Sequence, residues 1–446
     1  MLSDILWSVV ILTFCIYGLS RPYIALSGVI WIDTLRPQNL SFGFLAGKPL
    51  SLFITALFFM SLALNFKDGF RKPIVKLPTF LLFVFMIWIT ITTYHAQFPA
   101  SAWFKYDFSI KTMILASFIP FVIHKKNHLQ TLLAILTVAI AYYLLIGGWR
   151  AFMGGGAYGT SLVQTSAGDS GITETSTLSM VGVFTVPLIY YISKHSVFAE
   201  KIAFFKPLSY LFMGSSVLTV FGTYARTGLV GLVVLIAYSF TQSKKKMRYV
   251  LIIPLIAILS LPFIPEQWTD RMSTITNASE EGSALGRIVV WRWTLDYAAE
   301  NPVYGGGFNS YMANKGLLHL YHDEPGVSVD YRQNGKAFHN VFFEVLGEHG
   351  YIGLALYCSI ILVSLLLNRK ISKEDSIDGW ARELAKTLNL CIVIYCVCGM
   401  FIGVAFSPWI YLFMGMSVAL QNIVHHEKNA KSANSSSREY RVDSGE

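Results

Sequence analysis

Charge is what this 446-residue chain has least of: 14% is Asp, Glu, Lys or Arg, against 54% apolar residues and a mean hydropathy of +0.52. A soluble domain carries about a quarter charged residues, so a soluble enzyme is excluded. The net charge of +9 sits in short connections and reads as membrane topology, so no nucleic-acid partner is expected. Cysteine is scarce. Cys15, Cys358, Cys391, Cys396 and Cys398 all lie inside apolar runs, without CxxC spacing or partner histidines, which argues against a zinc site or a disulfide framework. No Asp-x-Asp occurs, so the usual acidic cradle for a metal-bound nucleotide sugar is missing, and neither metal nor cofactor is expected. No basic residue precedes Arg21, so the first segment reads as a retained membrane segment and not a cleavable signal peptide.

What the chain does have is apolar runs. A bilayer core needs about 20 helical residues to cross it, and an isolated strand cannot satisfy its backbone there. Runs near 47–65, 77–93, 108–123, 129–148, 176–194, 208–224, 227–243, 247–264, 351–368, 389–405 and 408–424 predict spanning helices. Residues 5–20 and 22–35 add a tight hairpin or one broken helix, for 12 or 13 spans in an all-α polytopic membrane protein. The chain then divides into an N-terminal hairpin or broken helix (1–46), a bundle (47–264) with a flexible outer loop at 149–175, a large outer loop (265–350), C-terminal spans (351–424) and a disordered inner tail (425–446). Lys and Arg cluster at every second connection, at 67–76, 125–126, 194–206, 244–248 and 369–373. The positive-inside rule makes those cytoplasmic and turns both long loops outward.

The outer loops carry the candidate chemistry. Arg226, in TYARTG, stands about 27 Å along a helix from Lys244, at that helix's outer end. It is either an arginine snorkelling to the interface or an anion ligand whose fork matches phosphate oxygens. SALGRIVVWRWTLDYAAENP predicts an amphipathic helix near the membrane face, with Leu285, Val289, Leu295 and Ala299 apolar, and with Arg287 and Trp291 on one side. Arg287 and Arg292 either meet lipid headgroups or, for Arg287, point into a cavity opposite Arg226. His339 opens a run whose Phe342, Phe343 and Leu346 share its face by helical spacing. It is a hydrogen-bonded interfacial histidine or, since imidazole titrates near neutrality, a base for a hydroxyl nucleophile that Asn340 could orient. Gly347, Gly350 and Gly353 read as packing residues. His319 with His322 and Asp323 makes a poor metal site, and the sequon at Asn277-Ala278-Ser279 is short enough to arise by chance.

Taken in order, Tyr224-Ala225-Arg226-Thr227-Gly228, Gly286-Arg287 with Trp291, the Asn301-Pro302-Val303-Tyr304-Gly305 turn, and His339-Asn340 leading to Gly350-Tyr351-Ile352-Gly353 resemble the O-antigen ligase and polymerase superfamily, over roughly 210–420. The opening, with Arg21-Pro22, Trp31, Pro37, Leu40 and Gly43-Phe44, is similar to O-glycosylation ligases associated with exosortase A systems. It departs from them in having Arg36-Pro37-Gln38 where that group has Asn-Pro-His. The resemblance implies a metal-independent, inverting transfer of a glycan from undecaprenyl diphosphate to a protein or lipid acceptor, at the periplasmic face of a bacterial inner membrane. Arg226 and Arg287 would then bind the diphosphate, with Trp291, Arg292 and Asn340 at the substrate, and His339 would deprotonate the acceptor. Charge bias alone places the two arginines and His339 on one side, which the motifs do not require. A polymerase would use the same chemistry. A transporter, the alternative of another class, predicts ionisable residues at mid-bilayer and paired repeats, and neither is evident.

Overall fold

The structure, a computed structural model, describes residues 2–153, 172, 174–243, 245–247, 282–321 and 335–443. The predicted span at 247–264, the sequon, His322, Asp323 and most of the 149–175 loop lie outside the described residues. Among those described, the chain is all-α. The long helices are α1 (Leu2–Ser20), α2 (Pro22–Leu35), α3 (Leu50–Leu64), α4 (Leu77–Tyr94), α5 (Pro99–Val122), α6 (Lys126–Phe152) and α7 (Thr175–His195). They continue as α8 (Phe205–Gly222), α9 (Arg226–Gln242), α10 (Gly282–Glu300), α11 (Val341–Lys373), α12 (Gly379–Gly399) and α13 (Pro408–Asp443). Five of them, α1, α4, α6, α7 and α11, are long and apolar enough to cross a bilayer, and α2, α3 and α9 are apolar but shorter. The protein is thus a polytopic helical membrane protein.

Of the two N-terminal alternatives the hairpin is the one formed. Arg21 separates α1 from α2, and Phe14 and Trp7 of α1 meet Trp31 of α2 with ring centroids 5.5 and 5.9 Å apart. Small residues let the inner helices close. Ser215 and Thr219 of α8 both donate to the Leu144 carbonyl of α6 at 2.8 Å, across Gly147 and Gly148. A hydroxyl donated to a neighbouring helix finds in lipid no competing water.

The start of α11 differs from its sequence reading. Its first stretch, to His349, is broken from the rest at Gly350, which has φ 69° and ψ −171°. Gly350 is therefore a hinge in the left-handed region and not only a packing residue; a Cβ there would also overlap the Val303 carbonyl. A helix break orphans the carbonyls just before it. The turn at 301–310 satisfies them: Gly306 N and Ser310 Oγ donate to Gly347 O, each at 2.9 Å, and Gly307 N donates to Glu348 O at 2.9 Å. Trp88 Nε1 of α4 donates to His349 O at 3.0 Å, and Tyr351 N turns to Pro302 O at 2.9 Å. Gly347 and Gly353 do pack closely, against Phe338 and His349.

At the other end, the last helix runs through the tail to Asp443, where the sequence predicted disorder from 425. Lys428 pairs with Glu374, and Lys431 pairs with Asp378 at 2.7 Å, which ties the helix to the α11–α12 connection. Asn422 Oδ1 accepts from the amides of Ile74 and Val75 at 3.1 Å, so the basic 67–76 connection gathers at this end of the bundle too.

Candidate active site

The opposite end of the bundle collects the beginnings of α5, α7, α9, α11 and α13 and the ends of α4 and α12. His339 sits there, but not on a helix: it has φ 48°, and α11 begins after it, at Val341. The expected helical face shared with Phe342, Phe343 and Leu346 is therefore corrected. Asn340 is the reason. It is the N-cap of α11, and its Oδ1 accepts from the amides of Phe342 at 2.9 Å and Phe343 at 3.3 Å. That oxygen is committed to the backbone, so what Asn340 positions is the helix start and the histidine before it.

Among the described residues no hydrogen bond holds the His339 ring, which is half-buried. Burial lowers its pKa from the ordinary imidazole value; the Arg287 guanidinium pushes the same way, and Glu174 pulls in the other direction. At neutral pH the ring is accordingly neutral and able to accept a proton. Trp291 Nε1 donates to the Phe338 carbonyl at 2.9 Å, and the indole stacks on Phe343 with centroids 5.4 Å apart and planes 4° from parallel. Trp291 thus clamps the backbone on both sides of His339. Arg292, one residue on, is exposed on the outer side of α10.

The buried stripe of α10 also differs from its expected one. Val289, Val290, Trp293 and Ala298 are buried, whereas Leu295 is 48% exposed and Ala299 is exposed. The covering surface is Phe338 and Leu318, which build a small second core with Val289, Val290 and Trp293. Packing under the His339 segment sets the rotation of α10, and Arg287 lies within electrostatic reach of the histidine.

Arg226 enters from another side as the first residue of α9, whose N-cap, Ala225, offers no side chain to the first amides. An uncapped helix start carries partial positive charge and suits an anion. Tyr224 just before it has φ 53°, and such outliers cluster where a backbone is held for function. Thr227 O accepts from Cys398 Sγ at 3.4 Å, and a Cβ on Gly399 would lie 3.0 Å from Val341. Through α12, then, Arg226 and His339 are tied to one end of the bundle.

A cluster that the sequence reading missed lies beneath the histidine. Lys105 Nζ of α5 donates to Glu344 Oε1 at 2.7 Å and to both Glu348 carboxylate oxygens, at 2.7 and 2.9 Å. Each carboxylate also takes a backbone amide: Ala405 N to Glu344 at 3.0 Å, and Asn309 N to Glu348 at 2.8 Å. Asn309 in turn donates to Ser101 Oγ at 2.9 Å, so the 301–314 turn, α5 and α11 are bolted together. His349 Nδ1 meets Thr92 Oγ1 at 2.7 Å beside them. A signal was present in the sequence. Glu344 and Glu348 are like charges one turn apart on an apolar helix, an unfavourable pair unless a cation sits between them.

Residues 211–358 match the model of the O-antigen ligase family, and residues 2–197 match a family of unknown function, DUF5935. No curated protein matches the chain. The ligase match ends short of the 420 read from the motifs, yet it contains Arg226, Arg287, Trp291, Arg292, His339 and Asn340. The protein is therefore a multi-pass membrane protein with a stretch, 211–358, similar to the O-antigen ligase family, a match that supports a membrane glycan-transferring ligase or polymerase with a lipid-linked donor.

Proposed function

We propose that this protein is an O-glycosylation ligase of the exosortase A-associated kind. It moves a glycan from undecaprenyl diphosphate to a protein or lipid acceptor at the periplasmic face of a bacterial inner membrane. The observation that carries this reading is the juxtaposition of Arg287 and His339, an anion ligand beside a neutral imidazole, at the end of the bundle where α9 presents Arg226. The opposite end holds the basic 67–76 connection, which supports an outward-facing site.

The chemistry needs no covalent intermediate. His339 takes the proton from the acceptor hydroxyl as its oxygen attacks the anomeric carbon from the side away from the diphosphate. The bond from that carbon to the phosphate oxygen breaks, the configuration inverts, and the lipid diphosphate leaves with the bonding pair. Arg226 and Arg287 neutralise the charge that grows on it, which favours the transition state over the bound donor. Trp291 and Asn340 hold the histidine, and exposed Arg292 faces the outer part of the glycan or the lipid headgroups.

Repeat-unit polymerisation uses the same site with a second lipid-linked glycan as acceptor, and a transporter would leave the donor intact. Product analysis in membranes supplied with lipid-linked glycan separates the three. We expect single glycans on a new acceptor. Longer chains still attached to lipid would assign polymerase activity instead, and an unchanged donor found on the other leaflet would overturn the reading.

A further inference from the structure

The connection that leads into α4 shapes a groove at the end of the bundle away from His339. It lies between the start of α4 and the end of α5 and encloses about 480 Å³, far more than a water or an ion fills. Phe70, Phe80, Phe83, Met86 and Phe121 give it carbon walls. Phe80 and Phe83 are 59% and 54% exposed, so the groove opens on the outer surface of the bundle, where lipid chains run.

Its polar groups gather toward the connection. Lys72 and Lys76, both exposed, line the groove there, and Thr79 follows in the first turn of α4. The Thr79 hydroxyl oxygen is buried and, among the described residues, has no hydrogen-bond partner, an unfavourable state that a polar atom in the groove relieves. Met86 lines the groove about 10 Å farther along the helix. Charge at one end and hydrocarbon at the other is the division of a phospholipid.

The groove is also held in shape by its surroundings, which lowers the entropy lost on binding. Arg71 N donates to Phe121 O at 2.9 Å, and Phe70 stacks on Phe121 with centroids 5.0 Å apart. On the far side of the two lysines' connection, Asn422 holds the amides of Ile74 and Val75.

We propose that this groove binds an anionic phospholipid from the leaflet at that end, with its phosphate on Lys72 and Lys76, its glycerol region at Thr79 and an acyl chain along Phe83 and Met86. Charge selects the headgroup. Lys67, Arg71, Lys72 and Lys76 surround the site against Asp68 alone, which favours an anionic lipid over one whose headgroup carries its own cation. The aromatic walls select a lipid over free phosphate, because only a hydrocarbon chain gains from covering them. Nothing in this depends on the chemistry at His339.

The test uses the full chain in detergent and counts bound lipid by native mass spectrometry, with dioleoylphosphatidylglycerol, dioleoylphosphatidylcholine and glycerol phosphate as probes. Wild type should retain one phosphatidylglycerol about tenfold or more tightly than phosphatidylcholine, and excess glycerol phosphate should not displace it. Lys72→Met combined with Lys76→Met should bring the two lipids to equal affinity. Ser117→Trp, which fills the groove from the α5 side and keeps both lysines, should lose the tight phosphatidylglycerol as well. Arg369→Met combined with Lys370→Met, in basic residues at the end of α11, should bind as wild type does. Equal affinity of wild type for the two lipids, or tight phosphatidylglycerol that survives both groove variants, would overturn the proposal. So would displacement by glycerol phosphate, or an equal loss in the Arg369 and Lys370 variant, which would reduce the effect to a basic surface.

Discussion

Replacing His339 with alanine is expected to lower glycan transfer by about a hundredfold or more while the protein remains in the membrane at normal levels. General-base catalysis is worth roughly 10²–10⁴ in rate, and His339 is an imidazole on which the Arg287 guanidinium acts directly. The fold should tolerate the change, because among the described residues the ring makes no hydrogen bond and Asn340 caps α11 without it. The pH dependence gives an independent check. The base must be neutral to work, and burial, then Arg287, lower its pKa, so the neutral form persists below the usual imidazole range. In wild type, kcat/KM should hold as pH falls through about 6.5, the ordinary value, and decline only as pH drops through the lowered one. An acid limb at or above the ordinary value would show that His339 is not the base in the free enzyme, and so would near-normal transfer by His339→Ala.

The second large effect is structural. Lys105→Met should destabilise the protein by about 3–5 kcal/mol, the usual consequence of removing one partner from a buried charge network. The side chains of Glu344 and Glu348 are 6% and 0% exposed, so their two like charges would face each other with only backbone amides to hold them. Because Glu344 lies in the first turn of α11, directly after the His339–Asn340 entry, transfer should fall together with stability. Glu348→Gln in the Lys105→Met background removes one of the two charges and should recover part of the loss. Thermal unfolding in detergent checks both. An unchanged melting temperature in Lys105→Met would mean that the cluster does not bind the 301–314 turn to the membrane helices.

How far the sequence reached is instructive at particular residues. Most predicted spans coincide with helices because apolar runs and bilayer thickness fix them together, as at Leu77–Tyr94 and Thr175–His195. The gathering of Arg226, Arg287 and His339 at one end was legible because Lys and Arg alternate from connection to connection. Rotation and local backbone were not. The buried side of α10 depends on Phe338, about 45 residues downstream of the residues it covers, and no periodicity within 282–300 encodes that. His339 has the spacing of a helical residue, yet Asn340 takes the cap and holds the histidine outside. The triad of Lys105, Glu344 and Glu348 joins residues 239 and 243 positions apart, which only the folded bundle brings into contact. The tail reads as a polar, serine-rich segment, and its helix is anchored by Glu374 and Asp378 on another connection.

The most direct test of the central claim is to count lipid diphosphate released against glycan transferred, with purified protein in liposomes loaded with lipid-linked glycan and acceptor. The account predicts equal amounts of the two from wild type, and neither from Arg287→Ala. Glycolipid that crosses the bilayer with no diphosphate released, or release that continues unabated in Arg287→Ala, would contradict it.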